Sequence, residues 1–193
     1  MTVPAKSCGL VGAAVFAVAG ATATAGVEEA IDLAGLPAGI IEIARDNLAG
    51  LRLAVAKAPE TIDDGSEIDD NLVLSYQALG AVSLAGANTE TEADGSFVYE
   101  IQGTTDDGRK VEIDIAPDGQ VQEIEIEFTR EDVPGAVLMA VARKLPDFVP
   151  RFIEASHSPS LQVIGYEFVG TLGEAQLDIE VSADGRHIAV SDQ

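Results

Sequence analysis

The sequence predicts an α+β protein built from two tandem repeats, each a helix packed on an antiparallel β-meander. One observation behind this is that the pattern of segment 36–58 recurs at 133–155. A second is the motif Tyr-Glu-x-x-Gly-Thr, which occupies Tyr99–Thr104 and returns at Tyr166–Thr171. The offset between the two motif copies is about 30 residues shorter than the offset between the two copies of segment 36–58. We therefore place an insertion in the first copy, at 59–86.

The first copy opens with an acidic lead-in over 26–35 and a predicted helix from Leu36 to Ala49, where apolar residues recur at helical spacing. Pro37 suits the first turn, because no backbone N–H is needed there. Alternation of apolar and polar residues then predicts a strand at 51–55. The apolar part of the insertion, 71–86, fits a helix or a strand equally well.

Three alternating strands complete the first copy, at 97–102, 111–115 and 121–128. Asp-Gly pairs lie between them, and Gly119 is expected at a turn position that requires positive φ. The alternation slips by one residue between Val121 and Ile124, which predicts either a β-bulge or a strand start there.

The second copy repeats this order. Asp132 is a predicted N-cap for a helix that ends at Leu145, before Pro146. Pro150 lacks a backbone donor, so the strand that contains it should be an edge strand or an irregular one. The predicted strands of this copy are 148–155, 164–170, 174–182 and 186–191.

The first 25 residues have the pattern of an export signal. Lys6 precedes an uncharged apolar run, Gly9–Ala21, and Ala23-Thr24-Ala25 fits the cleavage rule of small residues. Cleavage would remove Cys8, the only cysteine, and leave a chain without disulfides. A periplasmic or secreted bacterial protein is therefore expected. The predicted divisions are a signal peptide at 1–25, a first repeat at 26–128 and a second repeat at 129–193.

The charge balance excludes some classes of partner. The chain has 11 Lys and Arg against 33 Asp and Glu, a net charge of −22. Binding to nucleic acid or to an anionic membrane requires clustered basic side chains, so neither is expected, and no membrane insertion is expected after signal cleavage. Cationic partners, divalent metal ions and a saline environment remain compatible with this charge.

The sequence contains few residues and no motifs that are typical of a catalytic site. The two histidines are His157, in a loop-like Ser-His-Ser-Pro stretch, and His187, after a turn. The sequence contains no Gly-x-Ser-x-Gly elbow and no glycine-rich phosphate loop. A non-enzymatic protein with no catalytic residues and no bound cofactor, apart from a candidate Ca²⁺, is therefore predicted.

Two groups of acidic residues are candidates for binding a cation. The first lies in the acidic loop of the insertion and could supply the oxygen ligands that Ca²⁺ prefers, although the final Glu of an EF-hand is missing. Its residues are Asp63, Asp64, Asp69 and Asp70.

The second acidic group should share the polar face of two neighbouring strands. Opposed like charges destabilise a sheet unless salt or a cation screens them. Two interpretations stay open: a salt-adapted, solvated surface and a specific ion site. The residues are Glu112, Asp114, Glu123, Glu125 and Glu127.

Aromatic residues on the predicted strands are the other candidate contact surface. Tyr99, Tyr166 and Phe168 alternate with polar residues, which is typical of core positions. If the two sheets join side by side, these side chains could instead line a concave face that binds a partner.

The chain resembles the PepSY-like domains of exported bacterial proteins. The resemblance rests on Val133–Leu145, on Tyr166–Gly170 and on the stretch Val181–Arg186, and is weaker in the first copy. It implies tandem repeats with a fold similar to that of beta-lactamase inhibitor protein, and it carries no catalytic motif.

The resulting expectation is an exported binding protein that inhibits or regulates a periplasmic enzyme such as a peptidase, with an exported protein as its partner. The alternative is a calcium-binding or small-ligand-sensing protein with an acidic surface.

Overall fold

The computed structural model describes residues 27–56, 74–91 and 95–192. These residues form eleven strands, two α-helices and one 3-10 turn, Leu33–Gly35. The helices are α1 (Ala38–Leu48) and α2 (Gly135–Lys144). The strands are β1 (Val27–Ile31), β2 (Arg52–Ala56), β3 (Leu74–Ala78), β4 (Val82–Thr91), β5 (Phe97–Thr105), β6 (Lys110–Ile115), β7 (Val121–Glu127), β8 (Val149–His157), β9 (Val163–Leu172), β10 (Ala175–Ser182) and β11 (Ile188–Asp192).

Nine of the strands form one continuous antiparallel sheet, in the order β1-β4-β5-β6-β7-β8-β9-β10-β11, while β2 and β3 pair separately. The predicted α+β fold of two tandem repeats, each a helix on its own meander, is therefore wrong, and the protein is β-rich. The reason is the pairing of β7 with β8, from Ile124 opposite His157 to Glu127 opposite Glu154. This ladder joins strands on both sides of the expected boundary, so the backbone groups of β7 and β8 are satisfied within one sheet.

One face of the sheet is apolar and carries both helices. Ile113 and Ile115 of β6 are fully buried, as are Ile179 and Val181 of β10, and all belong to a single hydrophobic core. Helix α1 packs on β6 and helix α2 on β10. Burial of this face accounts for most of the favourable free energy of folding, because the free energy gained grows with the apolar area removed from water.

The turn before β7 and the first residues of that strand have the predicted local structure. The bulge is confirmed: Asp114 pairs with Glu123 but Ile115 pairs with Val121, which leaves Gln122 unmatched. Gly119 has a φ of 88°, which confirms the turn.

The lead-in 26–35 contains the edge strand β1, which the sequence did not predict. The segment 71–86, which fitted a helix or a strand equally well, contributes β3 and the start of β4. Pro134, and not Asp132, is the N-cap of α2. Strand β8 is not an edge strand, but its register shifts between Pro150 and Phe152, which confirms the predicted irregularity. Pro150 is tolerated there because β7 pairs with β8 only from Glu154 onward.

The recurring Gly-Thr motif marks a close approach between strands. Gly103 is paired with Leu84, next to the bulge at Leu84/Gly86 in β4. Gly170 is paired with Pro150, next to the bulge at Pro150/Phe152 in β8. A side chain at Gly170 would overlap the Val149 carbonyl oxygen, so only glycine leaves room for the bulged neighbour.

Neither α1 nor α2 combines the length and the apolar character needed to cross a bilayer.

Candidate functional site

The face of the sheet opposite the helices is lined with carboxyl groups, because acidic residues alternate with core residues along its strands. The pairing register places Glu112 opposite Glu125 and Asp114 opposite Glu123. This confirms that these predicted residues share one face. We call this surface the acidic face; its residues are Glu90, Glu100, Glu112, Asp114, Glu123, Glu125, Glu127, Glu154, Glu167, Asp178 and Glu180.

These carboxyl groups are buried to an unusual degree. Glu100 is 1% exposed, while Glu112, Glu125 and Glu154 are each 3% exposed. A solvated, salt-adapted surface would keep its carboxylates in water, and burial of an uncompensated carboxylate is costly. The burial therefore favours a bound counter-charge over simple screening by salt.

Three carboxyl groups on adjacent strands form a compact group that we call the β7–β9 cluster: Glu125, Glu154 and Glu167. One oxygen from each lies within 4.8 Å of the others. Ser156 Oγ donates a hydrogen bond of 3.4 Å to Glu125 Oε1. Glu125 Oε2 is buried and has no hydrogen-bond partner within the described part of the chain.

Electrostatics in this cluster disfavour three negative charges. Burial, together with the neighbouring Glu112, raises the pKa of Glu154 to about 8. Burial and the charge of Glu154 raise the pKa of Glu167 to about 10. Burial and Glu154 also raise the pKa of Glu125 well above its ordinary value. Without a cation, the cluster is therefore stable only when it holds protons.

A second group, the β5–β6 cluster, consists of Glu100, Glu112 and Asp114, again with one oxygen from each within 4.8 Å of the others. Gln102 Nε2 donates a hydrogen bond of 2.9 Å to Glu112 Oε2. Asp114 is 7% exposed, and its Oδ1 has no hydrogen-bond partner among the described residues. Burial, then the charges of Glu112 and Glu100, raise the pKa of Asp114 well above its ordinary value.

Basic side chains near this face are directed to other partners. Arg109 forms ion pairs with Asp107 at 3.1 Å and with Asp132 at 2.7 Å, in the connections at the end of the sheet. Lys110 precedes Glu112 on the same strand, and its ammonium lies over the ring of Phe152, 5.1 Å from the centroid. None of these interactions involves the β7–β9 cluster, so its repulsion must be relieved by protons or by a bound cation.

The predicted aromatic contact residues lie on the opposite, apolar side. Tyr166 and Phe168 are 6% and 1% exposed and belong to the hydrophobic core. Tyr166 packs edge-on against Phe128, with ring centroids 5.9 Å apart. Tyr99 is half-buried against the core and contacts Phe97.

The predicted calcium ligands Asp63, Asp64, Asp69 and Asp70 lie outside the described residues.

His157 was expected in a loop but ends strand β8 and is 1% exposed. Its Nδ1 lies 3.2 Å from the carbonyl oxygen of Ile124, and its ring packs near Phe128. Burial lowers the pKa of His157, so the imidazole is neutral and forms part of the core.

Sequence alternation identified Glu112, Asp114 and Glu125, but Glu100, Glu154 and Glu167 were missed. Two of these three could have been found from the sequence, because Glu100 and Glu167 each occupy the second position of a Tyr-Glu-x-x-Gly-Thr motif. These glutamates point away from the core because the preceding tyrosines point toward it.

The arrangement fits a cation bound between strands. Calcium–oxygen distances of about 2.3–2.6 Å allow ligand oxygens up to about 5 Å apart, and the oxygens of each cluster lie within 4.8 Å of one another. Comparison of the chain with protein-family models, with characterised proteins and with solved structures gives no significant match.

Proposed function

We propose that this protein binds Ca²⁺ through the β7–β9 cluster on its acidic face. The observation that carries the proposal is the convergence of Glu125, Glu154 and Glu167 from three adjacent strands, with the buried Glu125 Oε2 lacking a hydrogen-bond partner among the described residues. A divalent cation would neutralise the repulsion and satisfy this oxygen at the same time.

The donor set favours calcium over other metals. The cluster offers carboxylate oxygens, which are the ligands of Ca²⁺, Mg²⁺ and Mn²⁺, whereas Zn²⁺ and Cu²⁺ prefer nitrogen and sulfur. Three carboxylates can each bind through one or both oxygens, and Ca²⁺ accepts such variable coordination. Mg²⁺ requires near-octahedral geometry and keeps several waters, so it should bind this cluster more weakly.

The proposal is compatible with the predicted export of the chain. Extracellular calcium modules bind with Kd values of about 10⁻⁴–10⁻³ M, and a similar affinity is expected here. Regulation of an exported enzyme and a PepSY-like relationship stay predictions from the sequence.

Isothermal titration calorimetry with CaCl₂ at neutral pH tests the proposal. The titrations compare the wild-type chain with Glu154→Gln, which keeps the side-chain shape but removes the central charge. Glu174→Gln, an exposed carboxylate in the β9–β10 turn, is the matched control. Titrations with MgCl₂ and with NaCl of equal ionic strength separate specific binding from screening.

We expect Glu154→Gln to bind one Ca²⁺ fewer than the wild type, and Glu174→Gln to bind as the wild type does. Circular dichroism in chelator establishes that both variants are folded. If Glu154→Gln binds as many ions with unchanged affinity, the β7–β9 cluster is not the calcium site.

A further inference from the structure

The β5–β6 cluster is a second place where the acidic face gathers carboxyl groups. Its three members lie on two strands: Glu100 of β5 is directly opposed to Asp114 of β6, and Glu112 stands two residues earlier on β6. We infer that this cluster binds a second Ca²⁺, through ligands that are separate from those of the β7–β9 cluster. The inference therefore goes beyond the proposed function.

Asp114 provides the observation that points to a ligand. Its side chain is buried, it contributes an oxygen to the cluster, and its Oδ1 has no hydrogen-bond partner in the described segments. A buried carboxylate oxygen normally accepts at least one hydrogen bond or coordinates a metal. A cation placed between the three carboxylates supplies that missing interaction.

Neighbouring groups hold the cluster in position for a cation. Gln102 Nε2 donates to Glu112 Oε2 at 2.9 Å, which orients this carboxylate from the adjacent strand. Hydrogen bonds of this kind to ligating carboxylates are typical of metal sites. The ligands project from paired strands and not from a loop, so their spacing is set by the sheet.

The two clusters are adjacent but distinct. Glu112 of the β5–β6 cluster is paired across the strands with Glu125 of the β7–β9 cluster. Two Ca²⁺ ions in neighbouring clusters would repel each other. The six ligand carboxylates and the neighbouring Glu123 compensate for this repulsion, because they carry more negative charge than the two ions carry positive charge. The acidic face can therefore hold both ions at once.

Equilibrium dialysis of the full chain against CaCl₂, with the bound metal quantified by atomic absorption, tests this inference. The variants are Asp114→Asn, Glu154→Gln and the double variant. Asp147→Asn, an exposed aspartate after α2, is the matched control. Glu100→Gln removes a different ligand of the same cluster and replaces Asp114→Asn if that variant does not fold, as judged by circular dichroism.

We expect two ions per chain in the wild type and in Asp147→Asn, one in each ligand variant, and none in the double variant. If the wild type binds one ion that is lost in Glu154→Gln and kept in Asp114→Asn and Glu100→Gln, the second site is overturned while the proposed function stands. If the one ion is lost in Asp114→Asn and kept in Glu154→Gln, the proposed function fails and the β5–β6 site stands. An absence of binding to the wild type overturns both.

Discussion

Glu154 of β8 and Glu167 of β9 are directly opposed in the pairing register of two central strands. Glu154 is 3% exposed, and its other pairing partner, on β7, is Glu127. Directly opposed like charges destabilise a sheet, and burial strengthens their repulsion. This row of glutamates is therefore a source of instability that a proton or a cation must relieve.

Replacing Glu154 by Gln should stabilise the protein when calcium is absent. The pKa of Glu154 is raised to about 8, so at neutral pH the folded wild type must keep a proton that the unfolded chain releases, whereas the amide of Gln is neutral in both states. In chelator at neutral pH, we expect the free energy of unfolding to rise by about 1–3 kcal/mol. Urea denaturation followed by circular dichroism measures this change.

The control for this experiment is Glu174→Gln, which lies in an exposed turn and should leave the stability unchanged. In saturating Ca²⁺ the order should reverse, because the wild type gains free energy from binding and Glu154→Gln loses one ion. A loss of stability in Glu154→Gln under chelating conditions would show that the ionised glutamate stabilises the fold.

Stability of the calcium-free protein should fall as the pH rises. The pKa of Glu154 is raised from 4.5 to about 8, and that of Glu167 from 4.5 to about 10, chiefly by burial. Between pH 4.5 and the folded-state pKa of each glutamate, the unfolded chain has released a proton that the folded chain retains. The stability that depends on these protons is therefore fully present below pH 4.5 and is lost as the pH rises through the folded-state pKa values.

Urea denaturation in chelator, repeated across the range from about pH 5 to pH 9, tests this sign. We expect a continuous decline for the wild type and a shallower decline for Glu154→Gln, which cannot titrate at this position. Calcium should flatten the wild-type profile, since the ion replaces the protons. A wild-type stability that stays flat across this range would mean that the carboxylates are ionised in the folded state without penalty.

The acidic face could be predicted in part, because strand alternation is a local signal. Glu112 and Glu125 lie on two strands that alternate apolar and acidic residues and are joined by a turn recognisable in the sequence. Their position on one face therefore follows from the two-residue period of a strand and from the geometry of a hairpin. Their burial could not be predicted, because it depends on the neighbouring strands β5 and β8. Strand β5 joins β6 through a short turn, but β8 follows β7 only after helix α2, so no turn fixes the register between β7 and β8.

The overall architecture was missed for a similar reason. The helices and most strands follow from local periodicity, and α1 and α2 lie close to their predicted positions. Whether β7 pairs with β8 is not encoded in the period of either strand, so the recurrence in sequence suggested separate sheets. The edge strand β1 is short and acidic, which made it resemble a loop.

Asp132 should contribute to stability through a network and not as a helix cap. Its Oδ2 accepts hydrogen bonds from Arg109 Nη1 at 2.7 Å, from the Thr129 backbone N–H at 2.7 Å and from Thr129 Oγ1 at 2.8 Å. Burial alone would raise the pKa of Asp132, but these hydrogen bonds outweigh it and lower the pKa. Asp132→Asn should therefore reduce the free energy of unfolding by about 2 kcal/mol.

Thermal and urea denaturation of Asp132→Asn at neutral pH measure this loss. Asp184→Asn is the matched control, because Asp184 pairs with Arg186 at 3.5 Å in an exposed turn and the asparagine can keep its local hydrogen bonds. That variant should unfold like the wild type. Equal effects of the two substitutions would contradict a special role for the buried network.

Gly170 should tolerate no side chain, because it lies against the bulge in β8. An added Cβ would overlap the Val149 carbonyl oxygen and would lie 2.6 Å from Phe148 Cζ and 2.8 Å from Pro150 Cα. Relief requires the backbone of β8 to move, in the strand that links β7 to β9. Gly170→Ala should therefore destabilise the protein by about 2–4 kcal/mol.

The matched control is Gly86→Ala in β4, also a strand glycine beside a bulge. The nearest atom to a Cβ at Gly86 is Gln102 Oε1 at 3.8 Å, an ordinary contact, so the sheet need not shift. Urea denaturation of both variants isolates the effect of crowding from that of the glycine-to-alanine change itself. If Gly170→Ala is no less stable than Gly86→Ala, β8 yields readily at its bulge, and the glycine of the recurring motif is not required by the packing of the strands.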